Sequence, residues 1–236
     1  MTLLRSALFN MFFFTATFVL TVGLATPARL WAPHRVLDVA RLWAWIMLWG
    51  LRAICGIRLE VTGREHLGSG AALIASRHQS AFDTFVWLTL VPRCCYVLKR
   101  ELLRIPLFGP LMPLAGMIAV DREGGAAAMR ALMREGERAT REERQIVIFP
   151  EGTRAESGAM LPLQPGIAAL AGRTRLPVIP VATDSGRCWG RRAFHKRPGT
   201  IHINILPPLP AALPRPRLME CLGAALARGV GENSVG

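Results

Sequence analysis

The sequence predicts an α/β fold in which helices surround a mixed, largely parallel sheet. From residue 57 onward, short apolar runs alternate with longer segments of helical periodicity, and an uncharged apolar segment precedes them. Neither an internal repeat nor a long low-complexity stretch interrupts this alternation. The runs expected to form strands are Ala71–Ser76, Cys94–Leu98, Met117–Val120, Gln145–Phe149, Val178–Val181 and Thr200–Leu206, and the segments expected to form helices are Ser80–Leu90, Gly125–Arg144, Leu163–Arg173 and Arg215–Arg228.

The composition indicates an anionic partner and a reducing environment. The chain has 236 residues and a net charge of +13, which suits nucleic acid, a phosphorylated small molecule or an acidic membrane surface. Its five cysteines show neither the pair spacing of a zinc site nor an even disulfide framework. We therefore expect reduced thiols, a functional site that faces the cytoplasm, and no metal site.

The N-terminal segment is long enough to enter a membrane. No charged residue occurs from Ser6 to Ala28, and a membrane-spanning helix needs about 20 apolar residues. A cleaved signal peptide is the alternative, because Arg5 precedes the apolar run and small residues end Gly23-Leu24-Ala25.

A second apolar stretch, Leu42–Leu51, is rich in tryptophan and lies between Arg41 and Arg52. This combination suits a helix at the lipid headgroup boundary, whereas a core helix of the following domain is the alternative. We therefore predict membrane-inserted and interfacial helices over residues 1–56 and an α/β domain over residues 57–236.

His78 follows the first predicted strand, and Asp83 lies near the start of the next helical segment. On one continuous helix their side chains would point about 140° apart, but a turn before the helix would let them meet. Asp83 could then hold one ring nitrogen of His78 and leave the other to accept a proton. Alternatively, Ser80 and Asp83 are only a helix-capping pair, and His78 is an ordinary turn residue.

Charged turns follow two later strands. Asp121-Arg122 comes after Met117–Val120, and Pro150-Glu151-Gly152-Thr153-Arg154 comes after Gln145–Phe149. Ligands gather at strand ends in such sheets, and two arginines beside a backbone turn could hold a phosphate. A surface ion pair and a capped turn are the structural alternatives.

Four sequence blocks, taken in order, resemble the motifs of a known family. They are His78 with Asp83, Gly116 with Asp121-Arg122, Phe149–Arg154, and Val178–Val181. In order and rough spacing they are similar to the motifs of the glycerolipid acyltransferases, specifically the 1-acyl-sn-glycerol-3-phosphate acyltransferases. The resemblance covers roughly residues 57–210. The sequence departs from the family at Arg77, where asparagine is frequent.

The resemblance implies transfer of a fatty acyl group from acyl-CoA or acyl-ACP to the sn-2 hydroxyl of lysophosphatidic acid, which gives phosphatidic acid. It implies His78 as the general base and Asp83 as the residue that orients it. The residues that it implies for substrate binding are Arg122 and Arg154 at the acceptor phosphate, Glu151, Gly152 and Thr153 around that pocket, and Pro180 in the acyl pocket.

The resemblance also implies membrane lipids as partners, the inner (cytoplasmic) membrane as the location, and no cofactor beyond the acyl donor. A basic run between residues 173 and 197 could face anionic lipid. It could instead bind the phosphates of coenzyme A or an acidic acyl carrier protein, or it could be a solvated face.

Other functions fit the sequence less well. Within the family, a lyso-ornithine lipid or glycerol 3-phosphate could be the acceptor. A nucleic-acid-binding protein would not need the uncharged N-terminus, and the sequence shows no recognition module. A hydrolase would need a nucleophile, and the sequence contains no Gly-x-Ser-x-Gly.

Overall fold

The computed structural model describes residues 1–121, 123–210 and 213–231, with side chains up to residue 228. Its strands are β1 (Ile57–Thr62), β2 (Ala72–Ser76), β3 (Cys94–Lys99), β4 (Ile118–Val120), β5 (Gln145–Ile148), β6 (Val178–Thr183) and β7 (Gly199–Ile205). Within the described residues, these strands form a seven-stranded sheet in the order β1-β7-β6-β2-β5-β3-β4. Neighbouring strands are parallel except β6 and β7. The predicted mixed, largely parallel sheet is therefore confirmed.

Each predicted apolar run overlaps one of these strands, whereas β1 lies outside all of the runs. The central strands β2, β5 and β6 are buried along their whole length. Parallel strands covered on both faces read as continuous apolar runs, so they are easy to recognise. Strand β1 lies at the edge of the sheet and alternates apolar residues with the exposed side chains of Arg58, Glu60 and Thr62.

Helices cover both faces of the sheet. They are α1 (Thr2–Leu20), α2 (Thr26–Trp31), α3 (Val36–Gly50), α4 (Asp83–Leu90), α5 (Leu111–Leu114), α6 (Gly125–Arg141), α7 (Gly166–Thr174), α8 (Ser185–Cys188) and α9 (Arg215–Gly231). Because side chains alternate along a strand, Ile74 of β2 packs into a core with α1, α3 and α4. Its neighbour Leu73 packs into a second core with α6, α7 and α9.

The N-terminal helix is apolar, and its first turns are also part of the fold. Through a π-helical turn, α1 and α2 form one helix from Thr2 to Trp31 that is long and apolar enough to cross a membrane. Its most apolar window has a mean hydropathy of 1.8, and 6% of that window is buried. At its start, however, Phe9 is fully buried in the same core as Ile74. Ser6 Oγ accepts a hydrogen bond from the backbone N–H of Lys196, at 2.9 Å.

Helix α3 has one packed face and one exposed face. Met47 is buried in the core, and the Trp43 ring meets the Phe85 ring of α4 edge-on at 5.5 Å. On the other side, Trp45 and Trp49 are 58% and 63% exposed. One face of the helix therefore belongs to the core, and the interfacial role of the exposed face stays a prediction. The division of the chain after residue 56 stays a prediction.

Candidate active site

The ends of β2 and β5 bring the two most distinctive predicted motifs together. The two strands are parallel neighbours, with Ala75 opposite Ile148. Their carboxyl ends therefore lie side by side, and the loops that follow them meet at one edge of the sheet. The backbone N–H of Ala155 donates to the carbonyl oxygen of His78 at 2.7 Å, which joins the loops directly.

A single carboxylate oxygen of Asp83 organises the turn that carries His78. Asp83 Oδ2 lies 3.2 Å from His78 Nδ1 and accepts hydrogen bonds from the backbone N–H groups of Gln79 and Ser80 at 2.7 and 2.8 Å. The same oxygen atom thus makes both the backbone hydrogen bonds of the turn and the contact with the His78 ring. The catalytic role of the pair stays a prediction. Donation from Nδ1–H to the carboxylate leaves Nε2 of the neutral ring with a free lone pair.

An aromatic ring also packs against the face of the His78 ring. It stacks on the ring of Phe149 at a centroid distance of 4.1 Å and an interplanar angle of 17°. Phe149 comes directly after β5, and its other side faces Tyr96 at 6.1 Å. His78 is only 9% exposed, so both its orientation and its position are set by packed neighbours.

Glu151 contacts the turn that carries His78. Its Oε2 accepts a hydrogen bond from the backbone N–H of His78 at 2.9 Å, and its Oε1 lies 3.5 Å from Arg77 Nε. Burial raises the pKa of Glu151 despite that hydrogen bond and the charge of Arg77. The side chain contacts the turn and Arg77 and is not among the described residues that line the cavity, so its predicted role at the acceptor stays a prediction.

Arg77 and Glu151 form a buried ion pair, in which Arg77 is 1% exposed and also donates from Nη2 to the carbonyl oxygen of Ala159. Replacing Arg77 with methionine should lower the free energy of unfolding by about 3–5 kcal/mol, since Glu151 would be left as an unpaired buried charge. Chemical denaturation of the purified protein measures this change.

The matched control for Arg77→Met is Arg93→Met. Arg93 pairs with Glu143 at 3.6 Å, but both side chains are more than half exposed. Such a surface pair contributes about 0–1 kcal/mol. Equal, small losses in the two variants would show that the buried pair does not hold the turn.

The loop after Glu151 presents its next residues to the cavity. Gly152 has φ = 70°, a left-handed conformation that favours glycine, and Thr153 and Arg154 line the cavity beside it. Burial lowers the pKa of the Arg154 guanidinium, the charge of Asp83 opposes this shift, and Arg191 and Arg192 add to it. Arg122, the other predicted phosphate ligand, lies outside the described residues.

The cavity has a volume of about 880 Å³ and two chemically distinct ends. Its polar end holds His78, Gly152, Thr153, Arg154, Arg191 and Arg192. Its apolar end runs between the N-terminal helices and the segment from residue 102 to residue 117, and includes Phe14, Phe18, Trp43, Leu102, Phe108 and Met112. A charged head and a fatty chain of one lipid could therefore occupy it together.

Several predicted or potential site residues lie elsewhere. Pro180 is buried within β6, opposite Ala75, and is not among the described residues that line the cavity. A second histidine–aspartate pair joins His202 Nδ1 to Asp184 Oδ2 at 2.9 Å, also outside the cavity lining. In the sequence, Arg191 is only one member of the basic run between residues 173 and 197. Its place in the same cavity lining as His78 depends on tertiary folding.

Comparisons with known proteins identify the family of the chain. Residues 58–184 match the family model described as "Acyltransferase". A Pseudomonas aeruginosa protein named 1-acyl-sn-glycerol-3-phosphate acyltransferase is 36% identical over 194 residues, which are 82% of this chain and 76% of that protein. The human 1-acyl-sn-glycerol-3-phosphate acyltransferase alpha is 32% identical over 170 residues, covering 70% of this chain and 59% of the relative.

A solved structure shares the whole fold. The crystal structure of the 1-acyl-sn-glycerophosphate acyltransferase of Thermotoga maritima superposes with a TM-score of 0.80, at 22% identity, over 100% of this chain and 99% of that one. Family model, bacterial relative and fold are thus consistent with one another. The chain belongs to the acyltransferase family.

Proposed function

We propose that this enzyme transfers a fatty acyl group from acyl-CoA or acyl-ACP to the sn-2 hydroxyl of lysophosphatidic acid, giving phosphatidic acid. The observation that carries the proposal is the opening of the His78–Asp83 pair into a cavity with an arginine at its polar end and an apolar channel beyond. The names of the Pseudomonas and human relatives support the same acceptor.

In the proposed reaction His78 acts as the general base. Its Nε2 removes the proton of the acceptor hydroxyl while that oxygen attacks the thioester carbonyl. Asp83 keeps Nδ1 protonated and stabilises the imidazolium that forms. Collapse of the tetrahedral intermediate breaks the carbon–sulfur bond, and the leaving thiolate takes the proton from His78. The new ester bond forms without a covalent acyl-enzyme and without a cofactor.

The acceptor phosphate is assigned to Arg154, with Thr153 and the Gly152 backbone shaping its pocket. Arginine suits a phosphate because its planar fork can meet two oxygens and keeps its charge. Arg122 is proposed as a second phosphate ligand on the basis of the motif. The apolar channel beside α1 and α3 suits a fatty chain, and places that chain next to the helices that would contact lipid.

The proposed location is the inner (cytoplasmic) membrane, with the active site facing the cytoplasm. The apolar helix from Thr2 to Trp31 and the exposed tryptophans of α3 support membrane attachment. The five free cysteines are consistent with a reducing compartment, which is where acyl-CoA and acyl-ACP occur.

The function is tested by acyl transfer with the purified full chain in detergent micelles. The donors are palmitoyl-CoA and palmitoyl-ACP, and the acceptors are lysophosphatidic acid, glycerol 3-phosphate and a lyso-ornithine lipid. We expect turnover with lysophosphatidic acid. Turnover only with the lyso-ornithine lipid would support acyl transfer but contradict lysophosphatidic acid as the acceptor. If the folded protein turned over none of the acceptors, the proposed reaction itself would be wrong.

Replacing Arg154 with alanine should raise the KM for lysophosphatidic acid about 10- to 100-fold, because charge-assisted hydrogen bonds contribute about 1.5–3 kcal/mol. Steady-state kinetics at saturating donor measure this change. The control is Arg173→Ala, since Arg173 pairs with Glu137 at 2.6 Å and does not line the cavity. A KM unchanged in Arg154→Ala would remove Arg154 from the phosphate site.

A further inference from the structure

The turn Gly190–Ala193 places two arginines over the polar end of the cavity. Arg191 and Arg192 both line this end, although they are distant in sequence from the other residues that do so. The basic run between residues 173 and 197 is otherwise dispersed in the fold. Arg173 pairs with Glu137, Arg187 pairs with Asp184, and Lys196 is buried.

This turn is held firmly. The backbone N–H of Ala193 donates to Gly190 O, and Trp189 Nε1 donates to Ala193 O, each at 3.1 Å. Lys196 Nζ lies 4.7 Å from the centre of the Trp189 ring, a cation–π contact. The two arginines are therefore presented from a fixed backbone, with their side chains exposed to solvent.

The backbone of Arg192 has a conformation that favours glycine. Its φ is 54°, in the left-handed region that side chains with a Cβ adopt at a conformational cost. Residues held in this way by their surroundings cluster at ligand sites.

The cavity end carries more positive charge than one acceptor phosphate needs. No carboxylate of the described residues lies within ion-pair distance of Arg154, Arg191 or Arg192, whereas Lys99 pairs with Glu101 at 3.0 Å. A phosphate monoester carries about two negative charges at most near neutral pH. Three unpaired arginines and one such phosphate leave positive charge for a second anion.

The proposed reaction supplies that second anion. Both substrates must be present together, because acyl transfer without an acyl-enzyme is direct, and each carries phosphate. Arg154 is half-buried, and the charge of Asp83 acts on it. This position beside the His78–Asp83 pair suits the small headgroup of the acceptor. Arg191 and Arg192 are exposed at the rim, and suit a donor whose bulky nucleotide or carrier protein must stay outside.

We propose that Arg191 and Arg192 form a subsite for the phosphate of the acyl donor's phosphopantetheine arm, separate from the acceptor-phosphate site at Arg154. This inference rests on the proposed function. It assigns the two phosphates of the reaction to two groups of arginines, and it makes the Gly190–Ala193 turn a determinant of donor affinity.

The test is a kinetic comparison of the full-length wild type with the double variant Arg191→Gln/Arg192→Gln. We expect the KM for palmitoyl-CoA to rise about tenfold or more, and the KM for lysophosphatidic acid to stay within about twofold. With S-palmitoyl-pantetheine, which lacks phosphate, wild type and variant should be equal, as a double-mutant cycle requires. The control is Arg197→Gln, an exposed arginine of the same loop that is outside the cavity lining.

Three outcomes would overturn the subsite: a rise in the KM for lysophosphatidic acid as large as that for palmitoyl-CoA, a loss that persists with the phosphate-free thioester, or an equal loss in Arg197→Gln. Co-sedimentation with phosphatidylglycerol vesicles tests the membrane as the source of phosphate. The double variant should bind these vesicles as Arg197→Gln does, and weaker binding would assign the pair to the lipid surface.

Calorimetric titration with coenzyme A separates failure of the subsite from failure of the proposed function. If the wild type turned over none of the acceptors, the proposed function would fail, but coenzyme A binding would still report on the arginines. Binding by the wild type that weakens about tenfold in the double variant supports the subsite. Equal binding by both proteins, or no binding by either, overturns it.

Discussion

Replacing His78 with alanine should lower the kcat of acyl transfer by about 10³-fold while leaving the KM values nearly unchanged. General-base catalysis contributes about 10²–10⁴-fold to such reactions, and the His78 ring, the proposed base, lines the cavity. Single-turnover assays with labelled palmitoyl-CoA and lysophosphatidic acid measure the change without interference from product release.

The matched control is His195→Ala, because His195 is exposed and packs only beside Phe194 in the aromatic contacts of the described residues. Partial recovery of His78→Ala by added imidazole would support proton removal as the missing step. A loss of less than about tenfold would mean that another group takes the proton, and the mechanism would have to be rebuilt around it.

Replacing Asp83 with asparagine should lower kcat by at least about a hundredfold, and should also lower the melting temperature. The kinetic loss arises because an amide cannot stabilise the imidazolium as a carboxylate does, and can favour the wrong ring tautomer. The stability loss arises because Asp83 Oδ2 also accepts from the backbone N–H groups of Gln79 and Ser80. Thermal unfolding and kinetics are therefore measured on the same preparation.

Asp184→Asn supplies the control for this change. Asp184 holds His202 Nδ1 at 2.9 Å and also accepts from the His202 backbone N–H at 2.7 Å. The same chemical change is thus made in a histidine–aspartate pair outside the cavity lining. If both variants lost activity equally, loss of local stability rather than loss of the dyad would explain the effect of Asp83→Asn.

Much of the sheet could be predicted because its central strands are buried on both faces. Strand β1 could have been found as well, since Ile57, Leu59 and Val61 alternate with polar residues. The antiparallel pairing of β6 with β7 is different. A strand's direction depends on the path of the connecting chain, and apolar runs do not encode that path.

The candidate site shows the same division. Its two central motifs could be placed together because each follows a strand, and parallel strands end at the same edge. The Arg77–Glu151 pair and the position of Arg191 in the cavity lining could not be predicted. Both depend on tertiary packing between residues that are far apart in sequence. The sequence could not decide between a structural and a catalytic role for Asp83, and one of its oxygen atoms contacts both the backbone of the turn and the His78 ring.

The buried Lys196 side chain has a mechanical consequence for an enzyme at a membrane. Its Nζ donates to Asn10 Oδ1 of α1 and lies 5.6 Å from the centre of the Phe9 ring and 4.7 Å from that of Trp189. One residue thereby couples the start of the apolar helix to the loop that carries Arg191. If α1 is inserted in a bilayer, this coupling would fix the height of the proposed donor subsite above the lipid surface.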